Sequence, residues 1–163
     1  MSILTDARNA LWDAIDNWPG LESESTTTGR AFQQTFRFND DSDLGSAIQP
    51  ALGDLPAVAI LPVSSAPEWF THELQQWPLL FEFRLWTADW SLPEAEALLE
   101  ATIRAIYQAG EIPGVSYVKA TTGYHPRQLG PLTFEFARAG DRGPKVTLAR
   151  FTLGLRVMMD PFA

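Results

Sequence analysis

Pro78-Leu79-Leu80-Phe81-Glu82-Phe83-Arg84-Leu85-Trp86-Thr87-Ala88-Asp89-Trp90-Ser91-Leu92-Pro93-Glu94 contains a strand, a turn and a helix start in immediate succession. Phe81, Phe83 and Leu85 alternate with Glu82, Arg84 and Trp86, the two-residue period of a strand with one buried face. Ser91 is a natural helix cap, Pro93 suits an early helical position, and Glu94 falls three residues after Ser91, as a capping box requires. Ala95, Leu98, Leu99, Thr102, Ile103 and Ile106 then recur at helical spacing up to Gly110. A strand that needs a cover is thus followed by a helix that can supply one.

The same pattern recurs on both sides. Upstream, Leu4, Ala7, Leu11, Ala14, Ile15 and Trp18 form an apolar stripe, with Ser2 or Thr5 available as a cap and Pro19-Gly20 as the stop. Residues 21–30 are polar and aperiodic and read as a loop, and residues 31–38 read as a strand with imperfect phase. Residues 44–52 suggest a short helical turn, and 56–63 a buried strand bounded by prolines. Residues 64–77 read as an aromatic-rich loop. Downstream, strands are expected at 115–122, 132–138 and 145–159, the last two joined through Gly140-Asp141-Arg142-Gly143-Pro144 as a hairpin. In the last strand Thr147, Ala149, Phe151, Leu153, Leu155 and Val157 share a face. The expected fold is therefore a single α+β domain over 1–163. It has a mainly antiparallel sheet and two principal helices, at about 4–18 and 92–109, packed on one face.

Composition narrows the chemistry. The chain has 163 residues, 45% of them hydrophobic, and a net charge of −8. An acidic chain is poorly suited to a nucleic-acid backbone, which is met with Lys and Arg. Cysteine is absent, which removes disulfides, thiolate metal sites and cysteine nucleophiles together. No stretch approaches the ~20 apolar residues of a membrane helix. The N-terminus lacks the basic start and apolar run of an export signal. The expectation is a protein made in the cytoplasm and kept or assembled there.

Reactive constellations are equally scarce. The two histidines, His72 and His125, have no Gly-x-Ser-x-Gly elbow beside them and read as structural or surface residues. There is no His-Glu-x-x-His, and Asn39-Asp40-Asp41-Ser42-Asp43 lacks the glycine and distant glutamate of a calcium loop, so it reads as a solvated turn. Neither glycine-rich phosphate motif occurs. Glu94, Glu96 and Glu100 lie at a helix start, where negative charge is favoured without any catalytic role. No catalytic residue, metal site or cofactor is expected.

What stands out is aromatic. Trp69, Phe70, Trp77, Trp86 and Trp90 surround one strand. Either loops fold back and bury them, or some form a subunit interface, where aromatic residues and Arg are enriched. The loop 22–30, the turn with Asp40, Asp41 and Asp43, and the segment Tyr124-His125-Pro126-Arg127, read as a loop, are poorly explained by core packing. They are candidate partner contacts.

With that element order in hand, the chain resembles the small tail-terminator and tail-completion proteins of long-tailed bacteriophages. The resemblance rests on the N-terminal helix, on the join Trp86-Thr87-Ala88-Asp89-Trp90-Ser91-Leu92-Pro93-Glu94, and on Leu153-Gly154-Leu155-Arg156-Val157. It implies a non-enzymatic virion protein and a homo-oligomer in the form of a hexameric ring. Such a ring caps the tail tube and contacts tube and neck proteins. The aromatic segment 64–77 is longer than a minimal version of such a fold requires. A small protein-binding module with an acidic surface, such as an assembly chaperone or immunity-like protein, is the alternative, and an enzyme with a hidden carboxylate pair is a third.

Overall fold

The computed structural model describes residues 3–24, 26–37, 50–62, 68–69, 75–89, 91–108, 118–119, 122–138 and 143–159. Helix α1 spans Ile3–Asn17 and α2 spans Leu92–Gln108. The strands are β1 (Gln34–Phe36), β2 (Ala57–Pro62), β3 (Glu68–Trp69), β4 (Gln75–Ala88), β5 (Val118–Lys119), β6 (Thr122–Leu129), β7 (Thr133–Arg138) and β8 (Lys145–Met159). They form one sheet in the order β1-β2-β4-β8-β6-β5, with β3 on β4 and β7 on β8. Every pairing is antiparallel except β1 with β2. The fold is α+β. No helix among the described residues is long and apolar enough to cross a membrane.

The axis of the sheet is the β4–β8 pair, in register from Gln75 opposite Met159 to Ala88 opposite Val146. The expected alternation holds where side chains are described. Phe81, Phe83, Leu85, Ala149, Phe151 and Leu153 are buried, while Glu82, Arg84, Arg150 and Thr152 between them are partly exposed. These apolar faces, with Val58 and Ile60 of β2, meet Leu11, Ala14 and Ile15 of α1 and Leu98, Leu99, Ala105 and Ile106 of α2 in one core cluster. Both helices thus cover the same face. Thr102 sits fully buried in this layer because its hydroxyl donates to the Leu98 carbonyl at 2.8 Å.

Helix ends follow local chemistry. At α2, the Ser91 N–H and hydroxyl donate to Glu94 Oε2 at 2.8 and 2.9 Å, and the Glu94 N–H donates back to Ser91 Oγ at 3.4 Å. That is the expected capping box. Those bonds to the carboxylate hold the Glu94 pKa below its ordinary value, the Ser91 N–H bond being the larger cause. The end of α1 is secured differently. A 3₁₀ turn at Pro19–Leu21 follows it, and the Arg30 guanidinium donates to the Ile15 carbonyl at 2.8 Å and the Trp18 carbonyl at 3.0 Å. Helix α1 has no basic residue in its own last turn, so a cation from a later segment supplies the C-terminal complement.

Several boundaries depart from the sequence reading. Helix α1 begins at Ile3, which places Thr5 inside the helix rather than at its cap; Ser2 lies outside the described residues. Among the described residues the strand expected over 31–38 is confined to Gln34–Phe36. Of the helical turn expected over 44–52, residues 44–49 lie outside the described residues, and a separate 3₁₀ turn spans Leu52–Asp54. Residues 75–77, read as loop, belong to β4, because β8 is long enough to pair with them. Thr122 opens β6 instead of closing the preceding strand. Tyr124-His125-Pro126-Arg127 is strand, not loop. Proline cannot donate to a ladder, and its place is at an edge or bulge. Here the register of β6 on β8 shifts between Pro126 and Gln128, so the irregularity is absorbed locally.

Candidate functional site

The face of the sheet opposite the helices carries the surface of interest. Because side chains alternate, Trp86 points away from the face that buries Phe83 and Leu85. It forms a second cluster with Phe36, Ala57 and Ala59, against which Leu55, Leu61, Val146 and Leu148 pack. Phe36 meets the Trp86 ring edge-on, with centroids 6.2 Å apart and planes at 89°. Trp86 is only 4% exposed. Of the two readings offered for it, burial therefore applies: the indole is the floor of a surface feature, with little area of its own to offer a partner.

That feature is a groove of about 470 Å³. One wall is Pro50, Ala51, Leu52 and Leu55; the other is formed by β7 and β8 through Glu135, Ala137, Val146 and Leu148. Leu52 on its rim is 44% exposed. Beyond the groove, the same face turns polar. Arg84 and Arg150 stand directly opposite each other in the β4–β8 register. Arg84 pairs with Glu82 at 2.9 Å and Arg150 with Glu135 at 3.5 Å. Each cation has its own carboxylate, so the pairs offset one another.

Strand β7 borders the groove. It hydrogen-bonds to β8 from Thr133 opposite Arg150 to Arg138 opposite Lys145. Among the described residues no strand lies on its other side. All of its residues except Phe134 are exposed, and Phe136 is the most exposed large apolar residue described, at 53%. Lys145 Nζ lies 4.6 Å from the Phe136 ring centroid, a cation–π contact. Leu132, just before the strand, is also exposed.

A smaller cleft of about 270 Å³ opens beside the end of α1, lined by Ile15, Asp16, Leu21, Thr28, Arg30 and Phe32 among others. Of its charged lining residues, Arg30 is committed to capping α1 and Asp16 is ion-paired with Arg37. Among the described residues there is no cluster of three or more His, Cys, Asp or Glu positioned for a metal.

Among the described residues, no other residue singled out from the sequence lines the groove. Asp40, Asp41, Asp43, Phe70 and Trp90 lie outside the described residues. Trp69 pairs with Gln75 in the short β3–β4 ladder. Tyr124 and His125 lie in β6, opposite Val157 and Arg156 of β8, and Arg127 sits at the register shift. The β7 border was missed because a strand at 132–138 does not by itself show which of its edges is left without a partner. One available signal was Glu135-Phe136-Ala137-Arg138, where charge flanks the ring on both sides.

Trp12 was also missed. It is fully buried on α1, next to the Leu11 and Ile15 stripe, with the Arg37 guanidinium 5.4 Å over its ring. Arg37 is in turn ion-paired with Asp16. This cluster serves the packing of α1 and not a site.

No protein-family model matches the chain, and no curated protein matches its sequence.

Proposed function

We propose that this chain is a non-enzymatic assembly protein, a virion structural component of the tail-terminator or tail-completion type. It acts as a homo-oligomeric ring, a hexamer, that caps a tail tube and joins it to the neck. The observation that carries the assembly part of this reading is the apolar groove beside β7, with Leu52 exposed on its rim. An apolar groove bordered by an exposed strand whose outer edge pairs with no described strand is a surface for association. The tail assignment draws on the resemblance in element order and at the Trp86-to-Glu94 join.

Electron microscopy of the purified protein, alone and mixed with tail-tube protein, tests the proposal. Rings, or caps on tube ends, are the expected result. A monomer that neither forms rings nor binds tubes overturns it. Charge reversal at Asp40, Asp41 and Asp43 together is expected to impair tail completion with little change in thermal stability. The net charge of −8 supports a second reading, a monomeric module that captures a basic partner. Salt-sensitive capture of such a partner by a stable monomer would favour it.

A further inference from the structure

We propose that two copies of this chain join their sheets through β7, antiparallel and with Phe136 of one copy directly opposite Phe136 of the other. The contact concerns β7 alone and does not depend on the tail assignment. An isologous contact closes on itself, so it makes a dimer, or joins two rings back to back, without closing a ring.

The register follows from the pleat and the charges. Phe134 packs against the core on the helix side of the sheet, so Phe136 lies on that side too, while Glu135 and Ala137 line the groove side. Two edge strands extending one sheet about a two-fold axis perpendicular to it keep each face continuous. Opposed residues must therefore come from the same face, and the axis must fall on a residue rather than between two. Within β7, four residues can sit on that axis with neighbours paired on both sides, and centring on Phe134 engages only Thr133 through Glu135.

Centring on Glu135 sets two carboxylates directly opposite each other, which disfavours pairing. Centring on Ala137 engages only Phe136 through Arg138 of the strand. Centring on Phe136 engages Phe134 through Arg138. It opposes Glu135 to Ala137 and Phe134 to Arg138 of the second copy, with no like charges opposed. It also covers the most exposed large apolar side chain described, by its own copy. The second copy is the occupant because β7 is complementary to itself in this register.

The natural absence of cysteine makes the test clean. Opposed positions hold their Cβ atoms about 4.5–5.5 Å apart, within small adjustment of disulfide geometry. Phe136→Cys is expected to oxidise to a covalent dimer about tenfold faster than Glu135→Cys, since association raises the local thiol concentration at one position only. A mixture of Glu135→Cys and Ala137→Cys, which keeps Phe136, is expected to give the mixed disulfide in preference to either homodimer. Unchanged melting temperatures of the reduced variants establish that the strand is intact. Preferential cross-linking by Phe136→Cys or by the mixed pair supports the register. The contact is overturned if neither cross-links faster than Glu135→Cys alone and light scattering finds only monomer at high micromolar concentration. Because the assay needs no tube protein, its failure is separable from failure of the ring.

Discussion

Phe83 of β4 and Phe151 of β8 are directly opposed across the sheet, with ring centroids 4.8 Å apart and planes within 8° of parallel. Both are almost completely buried at the centre of the helix-covered face. Truncating either to Ala is expected to cost about 3–5 kcal/mol in chemical denaturation, from lost burial plus the cavity left behind. A double-mutant cycle should return a coupling of about 0.5–1.5 kcal/mol, the increment typical of an aromatic pair. Additive losses would show that the rings contribute only area.

Arg30 holds the end of α1 from outside the helix. Arg30→Met keeps much of the stem but strips both donors from the Ile15 and Trp18 carbonyls. Because the side chain is 27% exposed, water can partly replace those bonds. A loss of about 1–2 kcal/mol in urea denaturation is expected, below the upper range for charged hydrogen bonds. Arg30→Lys should recover only part of it, since an ammonium lacks the planar fork that spans two carbonyls.

The capping box makes α2 sensitive to acid. Glu94 has its folded pKa below the ordinary value of 4.5, chiefly through the Ser91 N–H. Its contribution is therefore fully present above pH 4.5 and is lost as pH falls through the lower folded value. Thermal melts across that window should show a steeper acid decline for the natural chain than for Glu94→Gln. Parallel declines would remove Glu94 from the account.

Gly130, between β6 and β7, donates its N–H to the Thr152 carbonyl. A Cβ built there would stand 2.9 Å from Thr152 Cβ and 3.2 Å from its carbonyl oxygen. Those atoms belong to β8 and its β-branched side chain, so neither swings aside. Gly130→Ala is expected to cost about 1–3 kcal/mol, the usual range for overpacking. Chemical denaturation measures it. An unchanged midpoint would mean that the connection between β6 and β7 yields freely.

Much of the framework was legible because its causes are local. The alternation at Phe81–Leu85 and Thr147–Leu153, the stripe at Leu98, Leu99 and Ile106, and the Ser91–Glu94 box each lie within a few residues. Their periods and hydrogen bonds need no distant partner to be recognised. The groove was not legible in this way. Trp86 alternates correctly with its neighbours, but alternation does not reveal that Phe36, 50 positions earlier, packs on its ring.

By itself, then, the sequence determined which residues share a face, where α2 starts, and that an acidic, cysteine-free α+β chain results. Tertiary structure alone decided how those pieces are joined. Asp89, in the left-handed region at φ 57°, donates its N–H to the Lys145 carbonyl and accepts the Lys145 N–H at Oδ1, clasping β4 to β8. Pairing with β8 turns Tyr124–Arg127 into strand despite Pro126. Among the described residues the strand order also leaves β7 with an open outer edge, which puts Phe136 at the surface. Side-chain period is set by the backbone at each residue, whereas ladder partners and free edges are set by contacts between segments far apart in the chain.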